Sequence, residues 1–141
     1  MEVAKKDNFF VIRLRDSEDL FSSLEKIYRE NKMKFGVVVS GLGMLRRVKL
    51  GYFLGQGKYK RSKYRSVFEV VSLEGNLSLT DEGEFIAHLH TVLGKKNKKT
   101  VGGHLLSAEV HNTLELVLLD LPVKAERRFD PKTKLFGLEL E

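Results

Sequence analysis

The chain has no cysteine and no tryptophan, a single glutamine (Gln56) and only two prolines in 141 residues. Without thiols there can be no disulfide, no thiolate metal site, no zinc finger and no cysteine nucleophile, so the fold must be held by packing alone. A chain of this length can bury a sufficient core without staples. No apolar run approaches the length of a membrane span, and the opening "MEVAKKDNFFVIRL" has neither an apolar signal core nor a small-residue cleavage site. The chain therefore reads as one cytosolic domain, residues 1–141, with no membrane partner. Scarce glutamine and absent cysteine beside abundant Lys and Glu resemble the composition of heat-adapted proteins.

Charge is present in excess of one sign. Lys and Arg number 25 against 19 Asp and Glu, a net charge of +6 with histidine neutral. Such a balance permits contact with nucleic acid or another polyanion without requiring it. Two stretches concentrate it. "KYKRSKYR" interleaves Lys58, Lys60, Arg61, Lys63 and Arg65 with Tyr59 and Tyr64, a composition able to hold phosphates and stack bases, or to form a solvated loop between strands. "KKNKK" supplies Lys95, Lys96, Lys98 and Lys99 at the tip of a predicted hairpin, where charge also guards against edge aggregation.

Hydrophobic periodicity predicts one helix among many strands. "FFVIRLR" (Phe9 to Arg15) reads as a strand. It is followed by a helix in which Leu20, Phe21, Leu24, Ile27 and Tyr28 share a face, with Asp16 as the N-terminal cap and Asp19 in the first turn. "FGVVVSGLG" reads as a short strand ending in a tight glycine turn that leaves Arg46 and Arg47 exposed, and "VKLGYFL" as the next strand. "VFEVVSLEG", "NLSLT", "FIAHLHTVL", "GGHLLSAEV" and "LELVLLDL" follow as short strands. His111 falls in a solvated turn, and "PVKAERRFDP" is a long surface loop or hides a helical turn before the terminal strand "KLFGLEL". The expected class is α+β, a mostly antiparallel sheet covered by one or two helices.

Three of the four histidines fall between residues 88 and 104. Alternation along a strand puts His88 and His90 on one face. A hairpin symmetric about Asn97 sets His104 directly opposite His90, while a one-residue slip would turn it away. Gly102 and Gly103 remove bulk where another backbone or a ligand could approach. Three imidazoles suit zinc, nickel, copper or iron and leave a coordination position open for water, substrate or a group from another subunit. The plainer alternative is a half-buried pair with a hydrogen-bonded strand histidine beside it.

Other motifs carry less. "SGLGMLR" lacks the third glycine and the parallel context of a dinucleotide site. "TDEGEF" puts Asp81, Glu82 and Glu84 before the histidine strand, as an acidic turn or as a source of a general base. Ser40 and Ser107 have no nucleophile-elbow spacing, so serine hydrolysis has no support and no catalytic residue is assigned.

The order "FGVVVSGLGML", "FEVVSLEGNLSL", "HLHTVLG" and "VGGHLLSAEVHNTLELVL" resembles the plant and prokaryote conserved (PPC) domain in its single-domain prokaryotic form. The resemblance runs from about Asn8 to Leu140. It implies an α+β domain that assembles as a homotrimer and a divalent metal, zinc by preference, on His88, His90 and His104. It also implies an association with DNA, since plant relatives join the domain to AT-hooks, although no Arg-Gly-Arg-Pro segment occurs here. Where the plant domain contacts partners through Gly-Arg-Phe-Glu-Ile-Leu, this chain reads Ser66 to Val71, which makes Phe68 and Glu69 interface candidates. Three function classes follow: a trimeric DNA-binding or regulatory module, a metal-dependent hydrolase or lyase with an open zinc-type site, and a small-molecule sensor or structural trimer whose histidines only stabilise the assembly.

Overall fold

The computed structural model describes residues 1–140 and contains nine strands and one helix among them. The strands are β1 (Glu2–Lys6), β2 (Phe9–Arg15), β3 (Phe35–Gly55), β4 (Lys58–Tyr64), β5 (Phe68–Leu79), β6 (Phe85–Gly94), β7 (Thr100–Leu121), β8 (Ala125–Asp130) and β9 (Leu135–Leu140). The helix α1 (Leu20–Glu30) is 11 residues long. The architecture is a predominantly β, antiparallel sheet rather than a balanced α+β arrangement. No helix among the described residues is long and apolar enough to cross a membrane.

Seven strands hydrogen-bond in the order β1-β2-β7-β6-β5-β3-β4, and β3 also pairs with β7. That extra pairing closes β3, β5, β6 and β7 into a ring, which leaves those four strands no free edge between them. Inside lie Leu45, Leu73, Leu77, Leu89, Leu93, Leu105, Val110 and Leu114, each 1% exposed or less.

The helix buries Leu20, Leu24, Ile27 and Tyr28, the stripe that the sequence predicts. Its cap is Asp19, which accepts from the Ser22 backbone N–H at 2.8 Å. Asp16 instead accepts from the Asn112 N–H at 2.7 Å and meets Arg46 at 3.3 Å. The Asp16 carboxylate is held by the strand behind it, so it cannot serve the helix.

The larger departure is strand continuity. The expected turn at Gly41-Leu42-Gly43 lies inside the 21-residue β3, and the expected turn at His111 lies inside the 22-residue β7. Both strands bend through register shifts instead of turning, between Gly43 and Met44 and again between Arg46 and Lys49. Arg47 (φ 51°) and Asn112 (φ 61°) take the left-handed conformation that such bulges use. Gly43, at φ 135°, is required there: a Cβ would sit 2.2 Å from the Thr113 carbonyl oxygen. Arg46 is correspondingly half-buried, bonded to Glu109 at 2.6 Å and to His111 at 3.1 Å.

The segment expected as a loop, "PVKAERRFDP", holds β8. It pairs with β9 in a separate two-stranded sheet, with Phe129 opposite Phe136. Asp130 sets the intervening turn by accepting from Lys132 N–H and Thr133 Oγ1, both at 2.8 Å.

Candidate metal centre and adjoining cleft

β6 and β7 form the hairpin that the sequence predicts, with His90 opposite His104. His88 lies opposite Asn76 of β5, and His104 lies opposite Gly51 of β3 on its other side. The ring closure therefore places all three imidazoles on one outward face of β6 and β7. Their centroids are 5.1–5.3 Å apart. The backbone at 102–104 needs small residues for this. A Cβ on Gly102 would meet the Thr91 carbonyl at 2.8 Å, and Gly103, at φ 148°, lies against the Gly51 carbonyl.

One nitrogen from each ring lies within 4.8 Å of the others. With zinc–nitrogen bonds of about 2.0–2.1 Å, tetrahedral coordination puts neighbouring donors about 3.3–3.4 Å apart. His88 Nε2 and His90 Nε2 already stand at 3.3 Å. The third ring has to close by no more than about 1.5 Å, a side-chain adjustment. The donor set thus fits a divalent metal of the zinc type and leaves a position free.

The residue that completes the surroundings was not singled out in the sequence. Arg127 of β8 is 5% exposed. It donates from Nε to Ser78 Oγ at 3.0 Å, from Nη1 to the Phe136 carbonyl at 3.0 Å and from Nη2 to Asn76 Oδ1 at 2.7 Å. Nη2 also lies 3.4 Å from His88 Nδ1. A guanidinium can only donate, so Nδ1 accepts and the His88 ring proton belongs on Nε2, directed at His90. Coordination through Nε2 would move that proton to Nδ1, facing Arg127. The guanidinium therefore opposes an ion both by its charge and through the tautomer.

Burial and neighbouring positive charge favour the neutral form of His88 and His104. Burial pushes His88 down to about 4, with Arg127, His104 and His90 adding in the same direction. Burial also lowers His104, helped by His90 and Arg127. Neutral imidazole is the form that binds a metal.

The histidines open into a cleft of about 570 Å³ whose other walls include Tyr52, Phe53, Tyr59 and Leu135. Tyr59 stacks on His104, centroids 5.3 Å apart at 30°, and Phe53 tilts against Tyr59 at 5.3 Å. Gly51 allows this: a Cβ there would strike the Tyr59 ring at 2.9 Å. All of "KYKRSKYR" but Arg65 is thus the edge strand β4 rather than a loop, and its Tyr59 belongs to the histidine cleft.

Its second half belongs to a different feature. Lys63, Tyr64 and Arg65 line an open groove of about 780 Å³ with Arg46, Arg47, Val48 and Lys49. Lys95 reaches over the Tyr64 ring at 5.9 Å, which brings the 95–99 tip beside it, while Lys58, Lys60 and Arg61 stand exposed along the same edge. Lys96, Lys98 and Lys99 are exposed at the tip itself. Glu109 holds Arg46 at 2.6 Å and Arg47 at 2.9 Å, which neutralises part of this charge. Glu69 is exposed, whereas Phe68 lies in the core at 1% exposure and offers no free side-chain surface to a partner. Asp81, Glu82 and Glu84 form an exposed turn closed by Thr80, whose hydroxyl accepts from the Glu84 N–H at 3.0 Å. His111 sits in β7 with Arg46 and Asp16, away from the other three histidines.

Known proteins share both the sequence and the fold. The chain is 30% identical over 134 residues to the bifunctional protein GlmU of a Synechococcus strain, a match that covers 94% of this chain. It spans only 20% of that relative's length. A metal-containing protein of Archaeoglobus fulgidus superposes with a TM-score of 0.82 at 33% identity, covering 96% of this chain and 94% of the other. A protein of Bacteroides thetaiotaomicron, provisionally described as DNA-binding, superposes with a TM-score of 0.90 at 24% identity over 99% and 96% of the two chains. Residues 1–122 match the Plants and Prokaryotes Conserved (PCC) domain, and the chain belongs to that family.

Proposed function

We propose that this chain is a metal-holding binding module that works as a homotrimer, with a zinc-type ion on His88, His90 and His104. The observation that carries this reading is the convergence of three imidazoles, two of them already at coordination spacing, on one face of the closed ring. The metal-containing relative from Archaeoglobus supports it. When bound, the ion would supply an open Lewis-acid position. A binding role is favoured over a hydrolase or lyase because, among the described residues, no carboxylate lines the cleft to act as general base. Assembly is supported by Val39, Leu42, Val71 and Val92, which stand 38–58% exposed on β3, β5 and β6.

The test is native mass spectrometry of untagged protein. A trimer carrying about one zinc per subunit, with the metal lost but the trimer kept in His104→Ala, is expected. Protein that holds no metal after zinc addition would overturn the reading of the histidines, and a monomer would overturn the assembly.

A second reading is contact with DNA through the groove between Lys49, Lys63 and Arg65 and the neighbouring 95–99 tip. Three copies of a modest basic patch would gain by avidity. The provisional description of the Bacteroides protein supports it. Duplex binding should then weaken steeply as salt rises, and no binding at low salt would eliminate it.

A further inference from the structure

We infer that the cleft beside the histidines binds a small monocarboxylate with a flat apolar body, its carboxylate on the metal and its body between Phe53, Tyr59 and Leu135. This rests on the metal reading above and goes beyond it by naming the ligand class.

Charge selects the head group. Imidazole donors bring no negative charge, so three of them leave the two positive charges of a divalent ion uncompensated, and the buried Arg127 guanidinium adds a third nearby. Among the described residues, nothing in the cleft lining is acidic. Glu74, opposite His90, is not among the lining residues, and its carboxylate accepts from Ser72 Oγ at 3.1 Å along its own strand. Arg127 contributes charge rather than direct contact, because it does not line the cleft and its guanidinium is turned to Ser78, Phe136 and Asn76. An anionic oxygen donor is what such a site lacks.

Shape selects the body. The walls away from the histidines are Tyr52, Phe53, Tyr59 and Leu135, and the Gly51 and Gly103 backbones leave the floor open. Tyr59 is already fixed against His104, so one face of a ligand ring would find a prepared surface at little entropic cost. A cleft of about 570 Å³ falls within the range of small-molecule sites. Leu135 and Arg127 belong to the β8–β9 hairpin, beyond the residues matched by the family, so the selectivity argued here depends on the part of the chain that the family match does not include.

The experiment loads the purified protein with Co(II) and follows its visible absorption during titration with phenylacetate and with acetate. The two have the same head group and similar basicity, so their ratio reports the body alone. Phenylacetate should perturb the cobalt spectrum at a concentration at least about tenfold lower than acetate, as expected for burying one phenyl ring. In Phe53→Ala and in Tyr59→Ala the preference should shrink to within about threefold while the acetate response stays. Phe53 is 36% exposed, so its truncation spares the core. Equal response to the two acids, or a preference that survives both substitutions, overturns the inference and leaves the metal reading standing. Failure to take up cobalt overturns both.

Discussion

Replacing Arg127 with Met should make the protein less stable and its metal tighter, two effects of opposite sign from one side chain. The substitution keeps the aliphatic stem and removes the guanidinium. Its three short hydrogen bonds to Ser78, Asn76 and the Phe136 carbonyl are lost. Hydrogen bonds to charged groups contribute about 1.5–3 kcal/mol each, and relief from burying the charge offsets part of the sum. A net loss of about 2–4 kcal/mol is expected, read as a fall of roughly 6–12 °C in the thermal midpoint measured with chelator present. The same charge that adds to the lowering of His88 acts on a divalent cation with twice the strength per site. Removing it should strengthen zinc binding by on the order of 1–2 kcal/mol, about tenfold or somewhat more in affinity. It also frees His88 Nδ1 to carry the proton that coordination through Nε2 requires. Competition against a chromophoric chelator measures the affinity. If zinc affinity falls together with stability, Arg127 serves to position His88 and its repulsion of the ion is negligible, and the electrostatic reasoning is wrong.

Two further outcomes follow from the same geometry. Because the folded apoprotein holds His88 at about 4 against an ordinary value near 6.5, the unfolded chain binds more protons between these values. Apoprotein stability should therefore be fully present above about pH 6.5 and decline as pH falls toward 4, a slope that His88→Asn reduces; a flat urea midpoint across that window in the wild-type apoprotein would refute it. Gly43→Ala should cost at least about 3 kcal/mol, since its Cβ would meet the Thr113 carbonyl at 2.2 Å, whereas Gly55→Ala, at φ 96° with nothing within 4 Å, should cost only about 1 kcal/mol of backbone strain. Equal midpoints for the two variants in chemical denaturation would show that β7 yields at the bulge.

The three histidines were legible because their placement depends on two local rules. Strand alternation sets His88 and His90 on one side, and a polar turn centred on Asn97 fixes the register that brings His104 opposite His90. Strand lengths were not legible. Gly41-Leu42-Gly43 and His111-Asn112 have turn composition, but in the fold they are bulges inside β3 and β7, where the ring demands bending without reversal. Turn propensity and bulge propensity draw on the same residues, and only the partner strand decides between them. Arg127 was hidden for a different reason. Its partners Asn76 and Ser78 lie 51 and 49 residues away, and a basic run between two prolines reads as surface. The signal available was the alternation of "AERRFD" and "LFGLEL" around an Asp-Pro turn, which marks a hairpin.

The two parts of the site differ in how firmly they are built, and this bears on what each can do. The imidazoles stand on β6 and β7, where His90 and His104 are paired on both sides and His88 is paired with Asn76, so their convergence is set by folding and costs little at the moment of binding. The β8–β9 hairpin forms its own two-stranded sheet and meets the ring through Arg127, whose side chain reaches β5 and whose carbonyl accepts from the Asp81 N–H at 3.2 Å. A two-stranded hairpin is marginal by itself, and this one leaves Phe129 and Leu140 55% and 71% exposed. Changes in the hairpin can therefore alter which body the cleft accepts, through Leu135, and how strongly the ion is opposed, through Arg127, while the three donors stay where the ring puts them. The three donors thus belong to strands inside the family match, whereas the hairpin beyond it holds both Arg127, which would oppose an ion, and Leu135, which would select the body of a ligand.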